Sequence, residues 1–226
     1  MPDSAETPPG RAERRAEQAR AFDHIGARYD EAFPHKDGQV EATTKLAADL
    51  PPGSRVLDIG CGTGLPTARM LCDGGFAVMG VDTSPVMLEL ARANVLEAEF
   101  HHLDVLDLDL SLGPFDAAVA FFSLLMLPRA EIGPALRRVS GLLRPGGALL
   151  LAMVEADLDD VPIPFLGATI RVSGYLRTDL VHVLETNGFA VDDLHDRTYA
   201  PVGPGAPPEV QLFVTAHQMA TGKLRS

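Results

Sequence analysis

The run Ala148-Leu149-Leu150-Leu151-Ala152-Met153-Val154 contains no polar side chain. It has the length of a strand, and successive strand side chains point to opposite faces, so both faces must be covered. An edge strand or a half-solvated antiparallel sheet cannot provide that cover. The centre of a parallel sheet between two helical layers can.

The flanking pattern agrees. Arg55–Ile59 reads as a strand, followed by a helix over Leu65–Asp73 that tolerates Pro66 in its first turn and closes on Gly74-Gly75. Ala77–Val81 is the second strand. Ser84 is a natural N-cap with Pro85 at the first helical position, and Met87, Leu90 and Ala91 form the buried face of a helix ending near Asn94. Ala98–His102 and Phe115–Phe121 are further strands. Ile132, Leu136, Val139 and Leu143 fall at helical spacing before Arg144-Pro145-Gly146-Gly147, and Thr178–Asn187 is a last helix.

The end of the chain breaks the alternation. Phe189 to about Leu194 and Glu209–His217 are strands with only a Pro/Gly-rich connection between them, which predicts an antiparallel pair. Upstream, Arg11 to about Asp30 is expected as one helix with Phe22, Ile25 and Tyr29 on one face, and Thr43–Leu50 as a short second helix. The fold class is α/β: a Rossmann-like, doubly wound, mostly parallel sheet closed by an antiparallel strand pair.

At 226 residues, one core is expected. The 31 acidic against 19 basic residues give a net charge of −12, and no dense basic stripe interrupts it, so nucleic acid and anionic membrane surfaces are poor partners. Ala117–Pro128 and Ala148–Val154 are too short to cross a bilayer, and the acidic, proline-bearing first ten residues lack the apolar run of a secretory signal; a cytoplasmic location is expected. Cys61 and Cys72 are expected as small buried residues, not as a disulfide or metal ligands.

Val56–Gly64 reads VLDIGCGTG, a strand running into three alternate glycines. Such a loop lets backbone approach a ligand where a Cβ would collide. A dinucleotide fingerprint would need a third glycine where Leu65 stands, which argues against a nicotinamide oxidoreductase. Asp58, Asp82 and Asp104 then place acids at the ends of three successive strands, facing one crevice.

VLDIGCGTG, VMGVDTSPVML over 78–88, HLDV over 102–105 and RPGG over 144–147, in that order, resemble the cofactor motifs of class I S-adenosylmethionine-dependent methyltransferases of the small-molecule type. The resemblance implies a seven-stranded sheet over 55–217, a helical lid over 11–54, and tails at 1–10, disordered, and at 218–226. It implies that Gly60, Cys61 and Gly62 lie along the methionine part of S-adenosylmethionine and that Asp58 holds its ammonium. Asp82, with Thr83, would take the ribose hydroxyls, while Asp104 and the Val105 amide would take the adenine. Tyr29 would close over the ligand and Phe121 line the methyl donor. Core packing remains open for both aromatics, helix packing for Gly64, a cap for Asp82 and a solvated turn for Asp104.

Methyl transfer from a sulfonium needs alignment of an acceptor lone pair and, for a neutral hydroxyl or amine, a base. His35 is the first candidate, ahead of His24 and Glu155; of His101 and His102, which alternate on a strand, one is expected to face the core. Phe122-Ser123-Leu124-Leu125 after the fourth strand is not the Asn-Pro-Pro-aromatic motif of base-methylating enzymes. The expected acceptor is therefore a small, partly apolar molecule methylated on oxygen or nitrogen. Val161, Ile163, Phe165, Leu166 and Tyr175 make the connection from Val154 to Thr178 an apolar loop in need of cover, from the acceptor or from a second subunit of a homodimer. Binding of the cofactor without methyl transfer, as a regulatory ligand or in a cyclase, is the alternative.

Overall fold

The computed structural model describes residues 10–200 and 208–219; of the expected tails at 1–10 and 218–226, residues 1–9 and 220–226 lie outside the described residues, as does the connection over 201–207, while Gln218 belongs to the last strand. The chain opens with helices α1 (Arg11–Ile25), α2 (Arg28–Ala32) and α3 (Asp37–Asp49). It continues through β1 (Arg55–Ile59), α4 (Thr67–Asp73), β2 (Ala77–Asp82), α5 (Pro85–Asn94), β3 (Glu99–His102) and β4 (Phe115–Phe121). Helix α6 (Arg129–Leu142), β5 (Leu143–Val154), the strands β6 (Leu158–Phe165) and β7 (Ala168–Gly174), α7 (Arg177–Thr186), β8 (Phe189–Tyr199) and β9 (Glu209–Gln218) complete it.

Seven strands form one sheet in the order β3-β2-β1-β4-β5-β9-β8. β1 to β5 are parallel, and β9 runs antiparallel to both of its neighbours. The apolar run in β5 is buried from both sides: Leu149, Leu151 and Met153 join one core, Leu150 and Ala152 the other. Ile132, Leu136, Val139, Leu180 and Leu184 of α6 and α7 cover the first face; Leu46, Leu71, Leu88 and Ala91 of α3, α4 and α5 cover the second. Ser84 caps α5 as its sequence predicts, its hydroxyl accepting from the Met87 amide at 3.1 Å with Pro85 in the first turn.

Several expectations are corrected. The first helix ends at Ile25, because Gly26 takes φ +50° and its N–H returns to the Phe22 carbonyl; α2 then carries Tyr29. Helix α3 begins at Asp37, six residues before the expected start at Thr43, and β8 continues past Leu194 to Tyr199. The connection after β5 is not a loop but an antiparallel hairpin, β6 against β7, turning on Leu166 (φ +46°) and Gly167 (φ +82°). Two central residues at positive φ match the twist of the paired strands. On its apolar side Ile170 and Val172 are buried within the chain, with Ile163 and Phe165 packed partly buried against the same core. His101 and His102 are both exposed, because β3 is the sheet's outer strand. Cys61 is buried, but Cys72 is only partly so.

From β1 the chain winds outward to β3 and then returns to β4 on the other side of β1. That reversal opens a crevice at the carboxyl ends of β1 and β4, where the glycine loop lies.

Candidate active site

The loop after β1 is fixed by its own backbone. The Gly60 and Cys61 amides both donate to the Val81 carbonyl, at 2.8 and 3.1 Å, which ties the loop to β2. The Gly62 amide donates to Asp82 Oδ2 and the Ser84 amide to Asp82 Oδ1, each at 2.9 Å. Asp82 thus holds the loop on one side and starts α5 on the other. Asp82 is not itself the helix cap, since Ser84 fills that position and Asp82 accepts from the cap residue's own amide; each of its oxygens keeps further acceptor capacity.

The three glycines, all at positive φ, do different work. A Cβ on Gly60 would collide with the Ser123 side chain, and one on Gly64 would press on Val95 of the segment after α5, at 3.1 Å. Gly64 is therefore a packing glycine. A Cβ on Gly62 would meet nothing within 4 Å, because it faces an open cavity.

That cavity has a volume of about 680 Å³ and is lined on one side by Asp58, Gly60, Cys61, Gly62, Asp82, Thr83, Asp104, Val105 and Phe121. The structure brings all of these expected residues together. Asp58 is buried beneath the loop, and its Oδ2 has no hydrogen-bond partner among the described residues. Burial pushes its carboxyl up to about 7, with the charge of Asp82 adding to the shift. Asp82 is itself raised, by burial, and so is the Cys61 thiol, which is therefore no thiolate nucleophile. Asp104 caps a 3-10 turn through the Leu106 amide at 2.8 Å and lies 3.4 Å from the Arg15 guanidinium, but it is buried on the cavity wall, so the expected alternative of a solvated turn is corrected.

The other side of the cavity is roofed by α1, α2 and the β6–β7 hairpin. Tyr29 and Phe33 lie 5.2 Å apart between ring centroids, and Phe33 stacks on Phe165 at 5.7 Å and on Tyr199 at 5.9 Å. Burial holds the Tyr29 hydroxyl above its ordinary value. Gln18 pairs with the Arg171 backbone as one peptide pairs with another, donating to its carbonyl at 2.8 Å and accepting from its amide at 2.9 Å. Asp23 accepts from the Ser84 hydroxyl at 2.6 Å, and Arg11 and Arg15 bind Asp107. Of the base candidates, His35 stands exposed at the cavity mouth, His24 and Glu155 are not among its lining residues, and Glu155 is turned to Arg177.

Residues 56–147 match the family model described as a methyltransferase domain. The O-methyltransferase cnsE of Penicillium expansum is 30% identical over 194 residues, covering 80% of this chain and 67% of that protein. The chain belongs to the class I S-adenosylmethionine-dependent methyltransferases. Among other relatives of this methyltransferase, GfsG of Streptomyces halstedii is 34% identical over 145 residues, which cover 61% of the chain and 49% of GfsG; the chain thus spans about half the length of that relative. Its fold matches a crystal structure of the Burkholderia thailandensis 1,6-didemethyltoxoflavin-N1-methyltransferase with bound 1,6-didemethyltoxoflavin and S-adenosylhomocysteine. The TM-score is 0.72 at 23% identity, covering 97% of this chain and 94% of that one. Among the described residues no cluster suited to a metal occurs, and no helix is long and apolar enough to cross a membrane.

Gln18, Tyr199 and Glu209 line the cavity without any signal in the sequence, and Asp23 ties α1 to the start of α5 beside it. The recorded side-chain partners of Gln18 and Asp23 lie 61 to 153 residues away, so no local motif marks them.

Proposed function

We propose that this chain transfers a methyl group from S-adenosylmethionine to oxygen or nitrogen of a small, partly apolar acceptor. The observation that carries the reading is the buried Asp58 Oδ2, left without a partner beneath a glycine loop that opens onto the cavity. A buried carboxylate with a free oxygen is costly, and an ammonium group answers it directly. The cavity lies in the upper half of the roughly 300–1,000 Å³ range of ligand pockets, which suits a cofactor and an acceptor side by side.

When bound, the cofactor supplies an electrophilic methyl group on sulfur. The chain's part is to orient and to exclude water. Asp58 holds the ammonium, and Gly60, Cys61 and Gly62 present backbone along the methionine portion. Asp82, beside Thr83, uses the remaining acceptor capacity of its two oxygens for the ribose, and Asp104 with the Val105 amide takes the adenine. Phe121 and Tyr29 face the space between cofactor and acceptor. Residues 11–54, joined to the hairpin by Gln18 and the aromatic rings, act as the lid that keeps water from the displacement. His35, exposed on the cavity wall, is the base candidate on this side of the site. The O-methyltransferase and N-methyltransferase named above support both acceptor atoms.

The test is titration with S-adenosylmethionine and S-adenosylhomocysteine, followed by incubation with phenols, carboxylates and amines and mass spectrometry for a methyl increment. Tight binding and a methylated product are expected. Tight binding with no product from any acceptor would favour a regulatory or cyclase role, and preference for NADH would overturn the reading.

A further inference from the structure

The carboxylates that line the acceptor side of the cavity are not equivalent. Glu131 is paired with Arg14 at 3.2 Å and Asp160 with Arg171 at 2.8 Å, so arginine offsets each charge. Asp37 is exposed at the start of α3. Glu209 is partly buried, and its recorded hydrogen bond is to a neutral group, Gln211 Nε2 donating to Oε1 at 2.8 Å. A carboxylate has about four acceptor sites, so among the described residues most of its capacity is unused.

Tyr199 stands directly opposite Glu209 in the β8–β9 ladder, which puts both side chains on one face of the sheet. The Tyr199 hydroxyl is shielded from solvent and has no partner among the described residues, and Gln39 Oε1, also on the cavity wall, is in the same position. Buried polar atoms left unpaired are rare and call for a ligand or water. Burial raises the Tyr199 hydroxyl, and the charge of Glu209 adds to the shift, so the two groups sense each other. Glu209 and Gln39 Oε1 accept, while the Tyr199 hydroxyl can donate or accept, so the set fits a ligand hydroxyl. Beside it the stacked rings of Phe33, Phe165 and Tyr199 offer flat apolar surface.

We propose that Glu209, beside the Tyr199 hydroxyl, is the proton-accepting end of a subsite for a phenol, whose ring lies against Phe33 and Phe165 and whose hydroxyl donates to Glu209. The proposal rests on the methyl-transfer reading above. In the step, the phenol oxygen forms the new O–C bond with the methyl group as the C–S bond breaks. That bond's electron pair stays on sulfur, which passes from sulfonium to neutral thioether. The phenol proton moves to Glu209, which releases it to water as the methyl ether leaves. Glu209 thus does at the inner wall what His35 would do at the mouth.

A base is dispensable when the acceptor arrives already ionised, and the test uses that fact. Protein loaded with S-adenosylhomocysteine is titrated calorimetrically, at mildly alkaline pH, with a naphthol, which is neutral, and a nitrophenol, which is anionic. Glu209→Gln should leave S-adenosylhomocysteine affinity unchanged, weaken the naphthol about tenfold or more, and leave the nitrophenol as tight or tighter. In turnover with S-adenosylmethionine the same variant should lose about 100-fold or more in kcat on the naphthol but less than about tenfold on the nitrophenol. Tyr199→Phe should weaken both phenols, since its hydroxyl can donate to either phenol oxygen. Failure of both phenols to bind the loaded wild-type protein, equal loss on both in Glu209→Gln, or no loss on either would each overturn the proposal. Failure of S-adenosylhomocysteine to bind wild type would instead defeat the methyl-transfer reading, and this proposal with it.

Discussion

The Gly62 amide donates to Asp82 Oδ2 at 2.9 Å, across the 20 residues that separate the glycine loop from the end of β2. The loop conformation and the proposed ribose site therefore depend on one carboxylate. Asp82→Ala should lower S-adenosylhomocysteine affinity about 100-fold or more in a calorimetric titration, since bonds to charged groups are worth about 1.5–3 kcal/mol each. An unchanged affinity would show that the ribose is held elsewhere.

The Asp58 carboxyl gives the pH dependence its sign. In the free protein it stands at about 7, against an ordinary 3.8, and an ammonium settling on it favours the charged form. Affinity for S-adenosylmethionine should be level above neutrality and fall roughly tenfold per pH unit below it, and Asp58→Asn should abolish that slope. Because the folded value is raised, the stability this group contributes is fully present below its unfolded value and is lost as pH rises towards 7. Ligand-free Asp58→Asn should accordingly melt at higher temperature than wild type above neutral pH.

Gly60 and Gly62 should separate folding from binding. Gly60→Ala combines a positive φ with a collision at Ser123 and should lower Tm markedly. Gly62→Ala has open space around the new methyl group and should cost only about 1 kcal/mol of stability, for its positive φ. It should still weaken S-adenosylhomocysteine strongly, because the methyl group enters the cavity. Thermal melts and titrations of the two variants make the comparison, and equal affinity in Gly62→Ala and wild type would place the ligand away from this loop.

Gln18→Ala removes both bonds to the Arg171 backbone, about 1 kcal/mol each. The expected result is a raised KM for the acceptor with little change in cofactor Kd. A loss confined to cofactor binding would contradict a roof that serves the acceptor.

How much of this was legible in the sequence depends on where each contact is made. The apolar run in β5, the Ser84-Pro85 start of α5 and the glycine loop carry their signals within a few residues, so periodicity and capping chemistry suffice. The β6–β7 hairpin was hidden because Pro162 and Pro164, at exposed positions, mask the alternation of Val161, Ile163 and Phe165, and because Leu166 is an unusual residue at positive φ. The kink at Gly26 shows only as a single glycine in an otherwise helical run. The acceptor side was least legible: Gln18 meets Arg171, and Tyr199 meets Phe33, through contacts made only once the sheet has assembled.

The match to the methyltransferase model spans 56–147, whereas the roof and the Glu209–Tyr199 wall come from 11–49 and 158–211. In the reading proposed above, most of the donor-handling residues fall in the first stretch and most of the acceptor wall in the others. The flanking stretches could be exchanged between relatives without rewriting the middle, provided the graft brings its own counterpart of the Gln18 to Arg171 clasp. Acceptor preference would then travel with the flanks, as an attachment on a common handle.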